Sequence, residues 1–227
     1  MTITIDIFDA ITSNEHTLPP DSQVAGYTTG AGIAWTAQQF ANHTKPHPAV
    51  RIDQDPNATD PTADVLDVER GAATVAEIPG WLTLARASFH AGTRPGQRWP
   101  AIYCSLNTLD SAIQMLEHGG FTDCPFAIAE LTNRGDAINK VSSASGPFPR
   151  IWHQYRFGNT FDSGIASVPW LTNVSGIVAT TPEMPPGQWN NPNAWTWKDA
   201  EIVGIGLDGR LHSFTFDPDT GQWTKTS

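Results

Sequence analysis

The sequence has few cysteines, few basic residues and no long apolar run. Its 227 residues include two cysteines, Cys104 and Cys124. This number excludes a disulfide framework, and their spacing excludes a Cys-x-x-Cys metal or redox motif. The two thiols are either buried and unreacted or joined by one structural disulfide. No run approaches the roughly 20 apolar residues of a membrane span, and the N-terminus lacks the basic start and apolar segment of a signal peptide.

Charge is scarce and mostly of one sign. Charged residues make up 16% of the chain, and 13 Lys and Arg against 23 Asp and Glu give a formal net charge of −10. Phosphate backbones repel such a surface, which excludes nucleic acid as the main partner. Aromatic residues reach 10%, with nine Trp, which excludes a disordered chain. We therefore expect a folded acidic protein that binds neither nucleic acid nor membrane.

Short apolar runs alternate with longer polar stretches through residues 1–178. Each run has the length of a strand and is almost wholly apolar, as expected of strands covered on both faces. The runs are residues 3–10, 23–28, 49–53, 63–69, 100–105, 125–131 and 150–155. Helices are predicted at residues 36–43, 74–91 and 106–118. This alternation predicts an α/β fold with a parallel sheet, either open or closed into a barrel.

The composition changes near residue 179. Residues 179–200 are rich in Pro, Asn and Trp and have no helical period, which predicts a linker or docking segment. Within residues 201–227, Asp208-Gly209 separates two strand-like runs and predicts a β-hairpin appendage. So short a segment does not enclose its own aromatic side chains. We therefore expect residues 183–227 to mediate self-association or contact with another protein.

The clearest candidate for catalysis is the pair Asp67 and Glu69, at the end of the fourth run. Residues two apart on a strand point to the same side, and the carboxyl ends of strands carry the active sites of α/β barrels. Repulsion between the two carboxylates is expected to raise at least one pKa, so that a neutral acid stands beside a charged partner. Glycosidic bond hydrolysis uses that division of roles. A solvated acidic strand end is the alternative interpretation.

The carboxylates Asp53 and Asp55 follow the third run. They would suit a hard divalent cation, but no loop supplies the remaining ligands in a recognisable spacing. We expect Asp53 to line the mouth of the barrel near Asp67 instead. The Gly-x-Gly at residues 30–32 lacks the rest of a dinucleotide fingerprint. The sequence therefore implies no metal and no cofactor.

Four segments within residues 5–172 stand out: AGYTTGAGIAW, IDQDP, LDVERGAAT and WHQYRFGNTFD. They resemble the glycoside hydrolase family 25-like domains of actinobacteria and their phages. The resemblance implies an irregular TIM-like barrel and a muramidase-like hydrolase that cleaves between N-acetylmuramic acid and N-acetylglucosamine in peptidoglycan. It implies Glu69 as general acid and Asp67 as the group that orients the substrate acetamido group or a water molecule. Asp9 and Asp162 match two further acidic positions.

The predicted substrate-binding residues lie near the ends of the runs. Glu130 stands where the family offers an aromatic residue, and is either an additional carboxylate or a sign of a remodelled cleft. The aromatic candidates either stack on a sugar or belong to the core. The full set of predicted binding residues is Asp53, Tyr27, Trp35, Glu130, Trp152 and Gln154.

Two functions remain open. The first is a muramidase-like glycosidase that acts on peptidoglycan glycan strands. The second is a structural component of an actinobacteriophage particle, such as a minor tail protein, that uses the barrel as an interaction module. Three features favour the second function: the Pro- and Trp-rich segment, the hairpin appendage, and the altered sixth run with Glu130. Either function is compatible with a phage virion, or with the host cytoplasm before lysis.

Overall fold

The computed structural model describes residues 3–55, 57, 60–91, 98–141 and 147–172, and the backbone of three further strands within residues 201–225. The chain divides into two compact units, Met1–Val178 and Ala179–Ser227. Among the described residues, no helix is both long enough and apolar enough to cross a membrane.

The first unit is an α/β fold built on a closed barrel of eight strands. The strands are β1 (Thr4–Ala10), β2 (Gln23–Tyr27), β3 (Val50–Asp53), β4 (Val65–Val68), β5 (Ala101–Ser105), β6 (Phe126–Ala129), β7 (Arg150–Arg156) and β8 (Asp162–Ser167). The seven predicted runs are confirmed as β1 to β7, with ends that shift by at most two residues. Neighbouring strands from β1 to β7 pair in parallel. Of the two alternatives left by the sequence, the sheet is closed rather than open.

Strand β8 closes the barrel and was not predicted from the sequence. It pairs antiparallel with both β7 and β1. Its segment, DSGIAS, lacks the run of large apolar side chains that marks a buried strand. Gly164 leaves room for the Trp152 ring, which a Cβ atom at that position would overlap. The small residues of β8 thus fit the barrel around a large neighbour.

The helices lie between strands and after the last one. They are α1 (Ala37–Asn42), α2 (Ile78–His90), α3 (Leu106–His118), α4 (Arg134–Lys140) and α5 (Val168–Leu171). The predicted helices at 36–43 and 106–118 are confirmed. The one predicted at 74–91 is divided into a 3-10 turn, Val75–Glu77, and α2, where Pro79 occupies the first turn. Proline is favoured there because the amide hydrogen that it lacks has no partner within the helix.

Alternate residues of the strands contact two separate apolar clusters. One cluster takes side chains from all eight strands, including Ile52, Val65 and Tyr103, and therefore fills the interior of the barrel. The other joins Leu66 and Ile102 to the inner faces of α2 and α3. A strand residue in the first cluster therefore points into the barrel, and a strand residue in the second cluster points toward the helices.

The two cysteines lie in the cluster between the barrel and its helices. Both are buried and neither is in a disulfide. Burial raises the pKa of both thiols, that of Cys104 to about 12. Of the two alternatives left by the sequence, the structure thus shows buried thiols in their neutral form.

The second unit contains a three-stranded antiparallel sheet. Its strands are β9 (Glu201–Ile205), β10 (Leu211–Asp217) and β11 (Gln222–Lys225), with β10 in the centre. The two runs on either side of Asp208-Gly209 correspond to β9 and β10, which pair antiparallel. The turn itself and the Pro- and Trp-rich segment, residues 179–200, lie outside the described residues.

Candidate active site

Four acidic residues lie at one end of the barrel. Asp9 is the last residue but one of β1, Asp67 is in β4, and Glu69 directly follows β4. Asp162 begins β8 and is the register partner of Asp9. Because β8 runs antiparallel to β1, its first residue lies at the carboxyl end of the parallel strands. The structure thus brings Asp9, Asp67, Glu69 and Asp162 together, and we call them the carboxylate cluster.

Burial and mutual repulsion raise the pKa values of the carboxylate cluster. Asp9 is only 6% exposed, and burial followed by the charges of Asp162, Asp67 and Glu69 raises its pKa well above the usual range. Asp67 is also 6% exposed, and burial with the charge of Glu69 raises its pKa to about 8. Such a carboxyl group is largely protonated at neutral pH. One of its oxygens, Oδ1, is buried without a hydrogen-bond partner in the described part of the chain.

Glu69 and Asp162 are the more accessible members of the carboxylate cluster. Both are partly exposed. Burial followed by the charge of Asp162 raises the pKa of Glu69. Burial also raises the pKa of Asp162, against the opposing effect of hydrogen bonds from Gly158 and Gln154. The cluster therefore combines proton-holding acids with a carboxylate that has hydrogen-bond donors of its own.

A chain of hydrogen bonds crosses the barrel from Tyr103 to Asp162. The Tyr103 hydroxyl donates to Gln154 Oε1 at 3.0 Å, and Gln154 Nε2 donates to Asp162 Oδ2 at 2.9 Å. The backbone amide of Gly158 donates to the other oxygen, Asp162 Oδ1, at 2.8 Å. Gln154, predicted as a substrate-binding residue, is 2% exposed. Its amide therefore holds Asp162 rather than facing solvent.

A cleft of about 220 Å³ opens beside Asp9 and Asp162. Tyr27 and the loop that joins β7 to β8 form part of its lining. Burial and the nearby carboxylates, Asp9 first, raise the pKa of the Tyr27 hydroxyl, which therefore stays neutral. The cleft is smaller than typical ligand pockets of roughly 300–1,000 Å³. The cleft therefore encloses only a small volume beside the two carboxyl groups.

Asp53 lies outside the carboxylate cluster, although the sequence predicted it near Asp67. It is the register partner of Leu66, which packs against α2, and so faces away from the barrel interior. Its carboxylate accepts hydrogen bonds from the Thr29 hydroxyl at 2.6 Å and from the backbone amides of Asp55 and Asp60. This carboxylate therefore organises the loop between β3 and β4. Within the described residues, no group of three or more His, Cys, Asp or Glu side chains is arranged to hold a metal ion.

Glu130 also faces away from the carboxylate cluster. It forms ion pairs with Lys140 of α4 at 2.6 Å and with Arg150 of β7 at 3.5 Å. Lys140, by hydrogen bond and charge, lowers the pKa of Glu130. The Glu130 carboxylate thus joins α4 to the barrel and does not enter the predicted sugar cleft.

The two tryptophans predicted to bind substrate belong to the core. Trp35 is 5% exposed and donates from Nε1 to the Ala10 carbonyl at 2.7 Å. Trp152 is fully buried inside the barrel, where it contacts Tyr103. Of the two alternatives for these side chains, core packing is the one that the structure shows.

Tyr103 is a site residue that the sequence reasoning missed. It is the register partner of Asp67, and burial together with Asp9 and Glu69 strongly raises its pKa. The run at residues 100–105 contained the necessary signal, because Tyr103 is the one large polar side chain on the face opposite Ile102 and Cys104.

Searches of the chain against protein-family models, curated proteins and solved structures find no match.

Proposed function

We propose that this protein is a glycoside hydrolase that cleaves the glycan strands of peptidoglycan in the manner of a muramidase. The observation that carries the proposal is the carboxylate cluster at the carboxyl end of a mostly parallel closed barrel. That end is where α/β barrels build their active sites. Glycosidic hydrolysis needs a neutral acid and an ionised carboxylate close together, and the cluster supplies candidates for both.

The barrel supports the same assignment. Seven parallel strands, an antiparallel eighth strand and short helices are compatible with an irregular form of the TIM barrel. The resemblance of four sequence segments to family 25-like domains provides the substrate class. All four residues given a catalytic role by that resemblance are members of the carboxylate cluster.

Glu69 is the best candidate for the general acid. It combines a pKa raised by burial and by the charge of Asp162 with partial exposure at the rim. Asp67 lies deeper, and its buried Oδ1 has no hydrogen-bond partner among the described residues. The sequence-based role of Asp67, orienting the acetamido group, fits this position.

In the proposed reaction the bond between the anomeric carbon and the bridging oxygen breaks. Glu69 transfers its proton to the leaving oxygen, which departs as a hydroxyl group. A water molecule provides the new hydroxyl group on the anomeric carbon, and its proton passes to an ionised carboxylate of the cluster. The balance requires only water and two carboxyl groups.

Replacement of the general acid tests this proposal. Purified actinobacterial glycan strands should release new reducing ends when incubated with the wild-type chain. Glu69→Gln should lower that rate on the order of 10²- to 10⁴-fold, because an amide keeps the shape but donates no acidic proton. The matched control is Glu130→Gln, which removes a carboxylate that faces away from the cluster and should leave the rate nearly unchanged.

Two outcomes would contradict the proposal. Undiminished turnover by Glu69→Gln would remove Glu69 from the mechanism. Binding of glycan strands without any release of reducing ends would favour the alternative function, an interaction module of a phage particle.

A further inference from the structure

The hydrogen bonds around Gln154 have one consistent direction. A phenol carries a single proton, and the raised pKa of Tyr103 keeps it in place. Tyr103 donates that proton to Gln154 Oε1, which leaves the Nε2 donor facing Asp162. Turning the amide over would place its oxygen against the Asp162 carboxylate, so the observed direction requires Asp162 to accept.

Asp162 accepts at both oxygens, from Gln154 Nε2 and from the Gly158 amide. An ionised carboxylate only accepts, and donors directed at it favour the ionised form. Asp67 differs, because its Oδ1 has no such donor among the described residues. The donors in the site are therefore distributed unequally between the two carboxyl groups.

The neighbours of Asp162 within the described residues otherwise favour protonation. The titratable groups that interact with its charge are Asp9 of β1, Tyr27 of β2 and Glu69 after β4, and these groups in turn lie beside Asp67 of β4 and Tyr103 of β5. All of these are acids. The buried amide of Gln154 is thus the side chain that counteracts them at Asp162.

We propose that Gln154 is a positioning residue that assigns charge within the carboxylate cluster. It holds Asp162 ionised and in a fixed orientation, so that other members of the cluster carry the protons. The catalytic meaning of this assignment rests on the proposed function. In the proposed reaction, Asp162 is the carboxylate that receives the proton of the attacking water.

The first test measures the titration of Asp162 directly, by carbon NMR of the full chain with ¹³C-labelled aspartate carboxyl groups. Gln154→Met keeps a similar volume but removes both the donor and the acceptor. Its Asp162 midpoint should lie higher than that of wild type by about one pH unit, the typical effect of one hydrogen bond to a charged group. An Asp162 midpoint that does not move in the folded variant overturns the proposal.

The matched control is Gln23→Met. Gln23 is also a fully buried glutamine, but it lies at the opposite end of the barrel, where its Nε2 donates to the Val24 and Pro48 carbonyls. Its replacement should lower the unfolding midpoint without moving the Asp162 titration. An equal shift in both variants would show a general effect of lost stability and overturn the proposal.

The second test is kinetic. Gln154→Met should lower kcat on the order of 10- to 100-fold with little change in KM, as expected when a reacting group loses its orientation. The acidic limb of its pH–rate profile should move to higher pH together with the Asp162 midpoint. If Gln154→Met lowers kcat while the acidic limb stays in place, Gln154 has only a structural role.

Two further readouts separate the possible failures. If Gln154→Met does not fold, the side-chain amide protons of Gln154 in the wild-type chain test the proposal instead. Because Gln154 Nε2 donates to Asp162, their chemical shifts should change with the titration of Asp162. Amide chemical shifts that do not change as Asp162 titrates overturn the proposal. A wild-type chain that releases no reducing ends overturns the proposed function instead, and the NMR titration still tests the charge assignment.

Discussion

At the scale of single residues, the strand face decides what each carboxyl group does. Asp67 and Asp53 lie on neighbouring strands, yet one faces the barrel interior and the other the loop beside it. Asp67 is buried with few partners, whereas Asp53 is surrounded by donors. Burial without donors favours the neutral acid. The chemical role of a carboxyl group in this protein thus depends more on the direction of its side chain than on its position in the sequence.

The raised pKa of Asp67 makes a prediction about stability and pH. In the unfolded chain this carboxyl ionises near pH 4, whereas in the folded chain its pKa is about 8. The folded state therefore holds a proton that the unfolded state has lost, and its stability declines as pH rises from about 4 to 8. Asp67→Asn cannot ionise, so relative to wild type it should gain about 1 kcal/mol or more by pH 8.

Urea unfolding of Asp67→Asn and wild type at pH 4, 6 and 8 measures this difference. The matched control is Asp110→Asn, which replaces an exposed carboxyl group on α3. A difference between Asp67→Asn and wild type that stays constant over this range would contradict a raised pKa at Asp67.

At the scale of elements, the turn between β7 and β8 connects the fold to the site. Within five residues of the end of β7, the chain reverses and places Asp162 at the start of β8. Gly158 lies in that turn, and its amide donates to Asp162. A Cβ atom there would overlap the Phe161 carbonyl oxygen. The turn therefore requires glycine for close backbone approach.

Gly158→Ala should displace the turn and lower stability by about 1–3 kcal/mol, the usual cost of overpacking. Because the displaced amide no longer holds Asp162, the glycan hydrolysis that we propose should fall as well. Gly80→Ala is the matched control, since a Cβ atom at this position in α2 meets nothing within 4 Å. There alanine should stabilise by about 0.5–1 kcal/mol. Thermal unfolding measures the loss of stability expected for Gly158→Ala and the gain expected for Gly80→Ala, and the reducing-end assay measures the loss of activity.

At the scale of the whole molecule, the two ends of the barrel have different chemistry. The end opposite the carboxylate cluster contains a fully buried ion pair between Arg98 and Asp64, at 2.9 Å. Arg98 also donates to the carbonyls of Ala49 and Leu171. These contacts join segments next to β3, β4 and β8, so this end contributes to stability while the other end carries the site.

Arg98→Met should destabilise the protein by about 3–5 kcal/mol, because removing one partner leaves a buried charge without its ion pair. Arg134→Met is the control. It breaks a pair with Asp6 of similar length, 2.8 Å, but 55% of the Arg134 side chain is exposed, so the loss should stay below about 1 kcal/mol. Urea unfolding measures both. Equal losses in the two variants would contradict a special role for the buried pair.

Self-association through residues 183–227 stays a prediction. The structure describes the backbone of an antiparallel sheet in that segment, but the side chains on which the prediction depends lie outside the described residues.

Seven of the eight barrel strands were predictable from the sequence because a strand covered on both faces is a local apolar run. The pair Asp67 and Glu69 followed from the two-residue period of a strand, and Asp9 and Asp162 followed from the family resemblance. Strand β8 was not predictable, since its small residues acquire strand pairing only from β1 and β7 on either side.

The sequence by itself thus determined the fold class and the acidic residues at the strand ends, because alternation and turn chemistry are local properties. Only the tertiary structure decided that Asp53 and Glu130 face away from the carboxylate cluster and that Trp35 and Trp152 belong to the core. It also decided that Gln154 reaches Asp162 and that Tyr103 reaches Gln154. The physical reason is closure: curling the sheet into a barrel brings residues about 50 positions apart into hydrogen-bond contact, and no local pattern in the chain encodes that meeting.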